Sequence, residues 1–111
     1  MDIRKYYLAL DLKNDAELIA TYKEYHKDVW PEIKESIKSS GIEELEIYHV
    51  GTRLFMIMSV NNEFSFEKKA AMDAANPKVQ AWEELMWKYQ EALPFAAHGE
   101  KWMLMDRIFK L

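Results

Sequence analysis

The chain has 111 residues, half of them hydrophobic and 31% charged, with a formal net charge of −4 at neutral pH. That length suits one compact domain, 1–111, able to bury roughly two-thirds of the surface its unfolded chain exposes. The absence of cysteine excludes disulfides, thiolate metal sites and thiol nucleophiles and suits a reducing cytoplasm; the acidic balance argues against nucleic acid, which demands clustered Lys and Arg.

The opening MDIRKYYLAL has an early acid and no long apolar core, so it does not read as a secretory signal. No run approaches the roughly 20 apolar residues that span a bilayer. Ile3–Leu12, rich in aromatic and aliphatic residues and free of Gly and Pro, reads as a strand. Asn14, with Glu17 three positions on, resembles a capping box. It opens a helix carrying Leu18, Ile19, Tyr22, Tyr25, His26 and Val29. Pro31 disfavours helical geometry at Trp30 and suits the first turn of a new helix, which Gly41 would end. Trp30-Pro31 is therefore a predicted corner between two helices.

Glu44–Val50 and Leu54–Val60 flank Gly51-Thr52-Arg53 and read as a hairpin. Ser65 to Ala75 reads as helix, with a second corner at Asn76-Pro77. Lys78–Leu93 is amphipathic, with Val79, Trp82, Leu85, Met86, Tyr89 and Leu93 on its apolar side. After the short LPFAAHGEK loop, Lys101–Leu111 reads as a closing strand.

Strand, broken helix, hairpin, broken helix, strand is the split βαβ pattern: an α+β, ferredoxin-like, four-stranded antiparallel sheet with its helices on one face. A sheet with one wet face alternates apolar with polar. Here the third strand sets Leu54, Met56, Met58 and Val60 against Phe55 and Ile57. The last sets Trp102, Leu104 and Ile108 against Met103, Met105 and Phe109. The helix-free face is accordingly expected to be covered by a second copy, giving a homodimeric α/β barrel whose enclosed space a ligand could share.

Tyr22 and His26 are one turn apart on the same helix face. Histidine is the side chain best matched to proton transfer near neutral pH, yet the same spacing also fits a packed histidine bonded to backbone. His49, mid-strand beside Tyr48, and His98, in the last loop, are weaker candidates. The three histidines lack the close pairing of zinc helices, so no metal is expected. Trp82 reads as core, with an indole that could also stack on a sugar. Glu83 reads as a solvated helix residue and Asp73 as a helix-end residue. Asp106, inside an apolar strand, needs a partner such as Arg107 or Arg53, or a polar site.

The run Tyr22-x-x-x-His26-x-x-x-Trp30-Pro31-Glu32 resembles the L-rhamnose mutarotase family, and the likeness covers essentially the whole chain. SGIEELEIYHVGTRLFMIM, the tryptophan of KVQAW and the closing Ile-Phe support it in order and length. The resemblance implies a small dimeric ferredoxin-like enzyme that interconverts the α and β anomers of a 6-deoxy-L-sugar, L-rhamnose or L-fucose, with neither metal nor organic cofactor. By it, His26 matches the catalytic general acid, and Tyr22 and Trp82 match sugar contacts. Trp30, Tyr48, His49, Glu83 and Asp106 are further pocket candidates, some as the second proton carrier.

Three departures stand out. Leu45 replaces a substrate-contacting tyrosine, paired tryptophans become Trp82-Glu83, and LPFAAHGEKW replaces an Asn-Pro-Asp-Asn-Ser-Pro loop, which brings the tail closer to relatives acting on L-fucose. Two rival readings remain at this point: a non-catalytic sugar-binding module, or a haem or oxygenase-type barrel with His49 as the strand ligand.

Overall fold

Apolar residues at alternate positions build the sheet. The structure, a computed structural model, describes residues 4–111; Ile3, at the start of the expected first strand, lies outside the described residues. In chain order the elements are β1 (Arg4–Leu12), α1 (Ala16–Tyr25), α2 (Pro31–Ser39), β2 (Ile42–Val50), β3 (Arg53–Val60), α3 (Phe66–Ala74), α4 (Pro77–Met86), β4 (Gln90–Glu91) and β5 (Met103–Leu104). The sheet is antiparallel in the order β2-β3-β1-β4, with β5 also on β1. This is the expected α+β, ferredoxin-like arrangement, with β1 and β3 at its centre.

Both helix pairs break where proline removes a donor. Pro31 and Pro77 open α2 and α4, the first behind Trp30 and the second behind Asn76, whose Oδ1 accepts from Lys78 and Val79 N–H. At α1 the cap is Asp15 rather than the expected Asn14. Asp15 Oδ1 accepts from Glu17 and Leu18 N–H, both at 3.0 Å, so Glu17 sits too early to close a capping box.

The last third of the chain departs most from expectation. Helix α4 stops at Met86, because Lys88 and Tyr89 N–H bond to carbonyls three residues back and tighten the final turn. The chain then enters the sheet at Gln90, where pairing with Leu12 overrides the helical periodicity that continues to Leu93. Of the expected closing strand Lys101–Leu111 only Met103–Leu104 is strand, and it shares one edge of β1 with Gln90–Glu91. Leu12 and Asp11 pair with Gln90 and Glu91, and Ala9 and Leu8 pair with Met103 and Leu104. Met105 N–H reaches Tyr7 O at 2.7 Å and the ladder ends there. Beyond it Ile108 and Phe109 are 95% and 76% exposed. Strand propensity is largely packing against neighbours, and these side chains have none within their own chain.

One face of the sheet packs under the helices. Leu12, Leu54, Tyr22, Ile33, Val79, Trp82 and Met86 form one cluster, and Leu8, Ile42, Met58, Val60 and Phe64 a second; Trp102 touches both. The turn from α2 into β2 depends on Gly41, whose φ is +101° and whose missing Cβ would lie 2.7 Å from Asn61 Oδ1. That oxygen already accepts from Glu63 and Phe64 N–H. Gly41→Ala is expected to destabilise the fold by about 1–3 kcal/mol, from backbone strain and crowding, with no loss of activity in the folded fraction. Denaturant titration beside an activity assay measures both.

The opposite face carries no helix. Register places Tyr7, Phe55, Ile57 and Tyr48 on it, with Tyr7 and Phe55 stacked at 6.1 Å, and Met105 extends the apolar strip. Asp11 and Arg53 form an ion pair across β1 and β3.

Candidate active site

A cavity of about 600 Å³ lies between the helices and their face of the sheet, within the roughly 300–1,000 Å³ range of small-molecule sites. It opens on the helix-covered side of the sheet. Its walls come from α1, α2, α3 and α4 and from the facing side of β1, β2 and β3.

His26 sits just past the last turn of α1 as its C-cap. Its Nδ1–H donates to Tyr22 O at 2.8 Å. A carbonyl can only accept, so the hydrogen is on Nδ1 and Nε2 is the nitrogen left with a lone pair. Burial pushes the His26 pKa below the ordinary imidazole value, opposed in part by the Tyr22 carbonyl, so the neutral ring is favoured. The ring lies against Tyr22 at 4.3 Å and edge-on to Trp82 at 5.7 Å.

Tyr22 is buried, and Gln90 Nε2 donates to its hydroxyl oxygen at 3.2 Å. Burial, opposed by the Gln90 bond and reinforced by Glu83, raises its pKa to about 12. The phenol therefore stays protonated, with its own hydrogen available to a ligand. Trp82 closes the aromatic group: Trp30 meets it edge-on at 5.1 Å and Tyr25 at 6.4 Å.

Tyr22, His26, Trp82 and Glu83 thus line one cavity. Glu83 is not merely solvated, since Lys101 Nζ pairs with it and pins the final loop over α4. Trp30 is a wall behind Trp82 and is not itself part of the lining. Tyr48 is on the helix-free face, where its hydroxyl donates to Glu46 at 2.7 Å. His49 is at the hairpin end, its Nε2 bonded to Gly51 O at 2.6 Å. Asp106 is exposed in the tail. These three side chains do not reach the cavity, and His49 offers no axial nitrogen inside it.

Other lining residues escaped the sequence reading. Asp73, read as a helix-end residue, is in the wall and ion-paired with Lys69 at 2.6 Å. Gln90 faces the cavity because it belongs to a strand, whereas extending α4 to Leu93 hid it on a polar helix face. Leu45 and Met56 supply apolar wall.

A sequence profile of the L-rhamnose mutarotase family matches residues 5–111. An L-fucose mutarotase from Xanthomonas campestris pv. campestris is 48% identical over 113 residues, covering 100% of this chain and 90% of that protein. The crystal structure of an L-rhamnose mutarotase from Formosa agariphila superposes with a TM-score of 0.71 at 21% identity, covering 97% of this chain and 98% of that one. A dimeric ferredoxin-like protein from an uncultured marine organism shares the fold at a TM-score of 0.55 and 14% identity, covering 100% and 94%. With the profile running through nearly every described residue, this chain belongs to the L-rhamnose mutarotase family.

Proposed function

We propose that the protein interconverts the α and β anomers of a 6-deoxy-L-hexose, with L-fucose its preferred substrate, and that His26 moves the proton. The observation that carries this is the His26 ring: held through Nδ1, with Nε2 left to accept a proton, its pKa lowered by burial, and in the wall of a sugar-sized cavity. The 48% identity to an L-fucose mutarotase supports the choice of sugar, as does the LPFAAHGEKW tail.

The chemistry needs no covalent intermediate. His26 Nε2 takes the proton of the anomeric hydroxyl, the bond from the anomeric carbon to the ring oxygen breaks, and the imidazolium gives that proton to the ring oxygen. The two oxygens share one carbon, so a single nitrogen can serve both. The aldehyde then rotates about its bond to the next carbon, and the same steps run backwards on its other face. The resemblance assigns His26 as general acid; a depressed pKa makes it the acceptor first and the acid second. Tyr22, protonated throughout, donates a hydrogen bond to the sugar, and Trp82 supplies an apolar face edged by an N–H.

Polarimetry tests this directly: dissolved crystalline α-L-fucose should reach its equilibrium rotation faster with catalytic protein than without it. An unchanged approach to equilibrium would remove the assignment.

The working form is a homodimer joined through the helix-free face. Tyr7, Phe55 and Ile57 form its centre, and the apolar tail through Ile108 and Phe109 packs across the partner. An apolar strip of this kind, partly exposed in one chain, is what a covered interface looks like when taken alone. Ile57→Glu is expected to convert a dimer to a monomer in analytical ultracentrifugation, since a buried unpaired charge cannot be tolerated at the interface centre. A monomeric parent protein would contradict this. The cysteine-free composition is consistent with a cytoplasmic setting, and no helix among the described residues is long and apolar enough to cross a membrane.

A further inference from the structure

The proton shuttle leaves two residues of the cavity wall, Asp73 and Gln90, without a task. Among the described residues, Asp73 Oδ1 and Gln90 Oε1 are buried with no hydrogen-bond partner, and both residues line the cavity. Orphaned buried acceptors are rare, and each costs stability until something donates to it. Neither side chain is free to turn away. Lys69 Nζ holds Asp73 by its other oxygen at 2.6 Å. Gln90 is 4% exposed and is tied to Tyr22 through Nε2.

Two fixed acceptors demand a ligand that brings two donors. A carboxylate or phosphate brings only acceptors and adds negative charge beside Asp73, Glu83 and Glu100, while the wall's two lysines, Lys69 and Lys101, are already paired with Asp73 and Glu83. A neutral polyol brings hydroxyls. Leu45 and Met56 make another part of the wall apolar, which suits a methyl group.

We propose that Asp73 and Gln90 read the sugar: each accepts a hydrogen bond from a different ring hydroxyl, and together they set which hydroxyl stereochemistry the site takes and how the anomeric carbon is presented to His26. This rests on the mutarotase reading. Asp73 is a specificity residue and Lys69 positions it; neither transfers the proton.

The test pairs the wild type and Asp73→Asn with L-fucose and its 2-, 3- and 4-deoxy analogues, using NMR exchange rates to separate KM from kcat. For one analogue the wild type should show KM raised about 10- to 100-fold, the factor for losing a hydrogen bond to a charged group. Asp73→Asn should raise KM for L-fucose by a similar factor and no longer distinguish that analogue, because Lys69 takes the one amide oxygen and leaves a donor where the sugar hydroxyl needs an acceptor, so both changes remove the same accepted bond. If Asp73→Asn fails to fold, Lys69→Gln keeps the carboxylate but releases it, and should weaken the same discrimination. Equal losses for all four sugars, or no discrimination by the wild type, would overturn the assignment. Failure of the wild type to accelerate any sugar would instead overturn the mutarotase reading beneath it.

Discussion

A His26→Gln variant is expected to lose about 10²–10⁴-fold in the enzyme-dependent rate of anomer exchange, the range for removing a general acid–base group. Its fold should survive. The amide can still donate to Tyr22 O, and the backbone bond from His26 N–H to Lys23 O does not involve the side chain. The pH dependence should change with it. On the proposed route catalysis begins with the neutral ring, and burial lowers the pKa of that ring. Wild-type kcat/KM should therefore be on its plateau at pH 7 and fall as pH drops through a midpoint below the ordinary value of about 6.5. In His26→Gln that limb should be absent. A wild-type rate that instead rises on acidification would make the imidazolium the starting form and reverse the order of the two proton transfers.

Trp82→Ala is expected to have the largest effect on stability. Trp82 belongs to the cluster with Tyr22, Val79 and Met86, and meets Trp30, Tyr25 and His26 edge-on. Truncating a buried tryptophan costs about 3–5 kcal/mol, a large part of the roughly 5–15 kcal/mol available to a domain. Each kcal/mol moves the melting midpoint of a domain this small by roughly 4–8 °C. Trp82→Phe should recover much of that stability while losing the indole N–H, so its melting midpoint should come close to wild type while its activity stays well below it. An unchanged midpoint in Trp82→Ala would mean that the aromatic group is not the core its contacts describe.

How much of this could be read from residues alone depended on how local the signal was. The two X-Pro corners and the Gly51-Thr52 hairpin announce themselves within a few positions, and β1, β2, β3 and the helices followed from them. The end of α4 did not: Met86–Leu93 keeps a helical period, and only pairing with Leu12, distant in sequence, turns Gln90 into a strand residue. The same limit applied to the tail, where β-type composition continued past the point at which β1 offers a partner.

At the site, Tyr22 and His26 were legible because a single helical turn brings them together, and Trp82 because it lies on a marked apolar face. Asp73 and Gln90 were not, since their meaning comes from the cavity and not from their neighbours in sequence. Tyr48, His49 and Asp106 drew attention by residue type alone. Register then put Tyr48 on the other face, while His49 sits at the hairpin end of β2 and Asp106 lies beyond the last bond to β1. The resemblance to the mutarotases supplied what spacing could not, a chemistry for His26 and an account of why Leu45 matters.

The most direct test of the central claim is saturation-transfer NMR of anomer exchange in L-fucose, L-rhamnose and D-glucose, each with and without the protein. Exchange in L-fucose should accelerate most and in D-glucose least, with the L-fucose gain abolished in His26→Gln. Equal exchange rates with and without protein for all three sugars would contradict it.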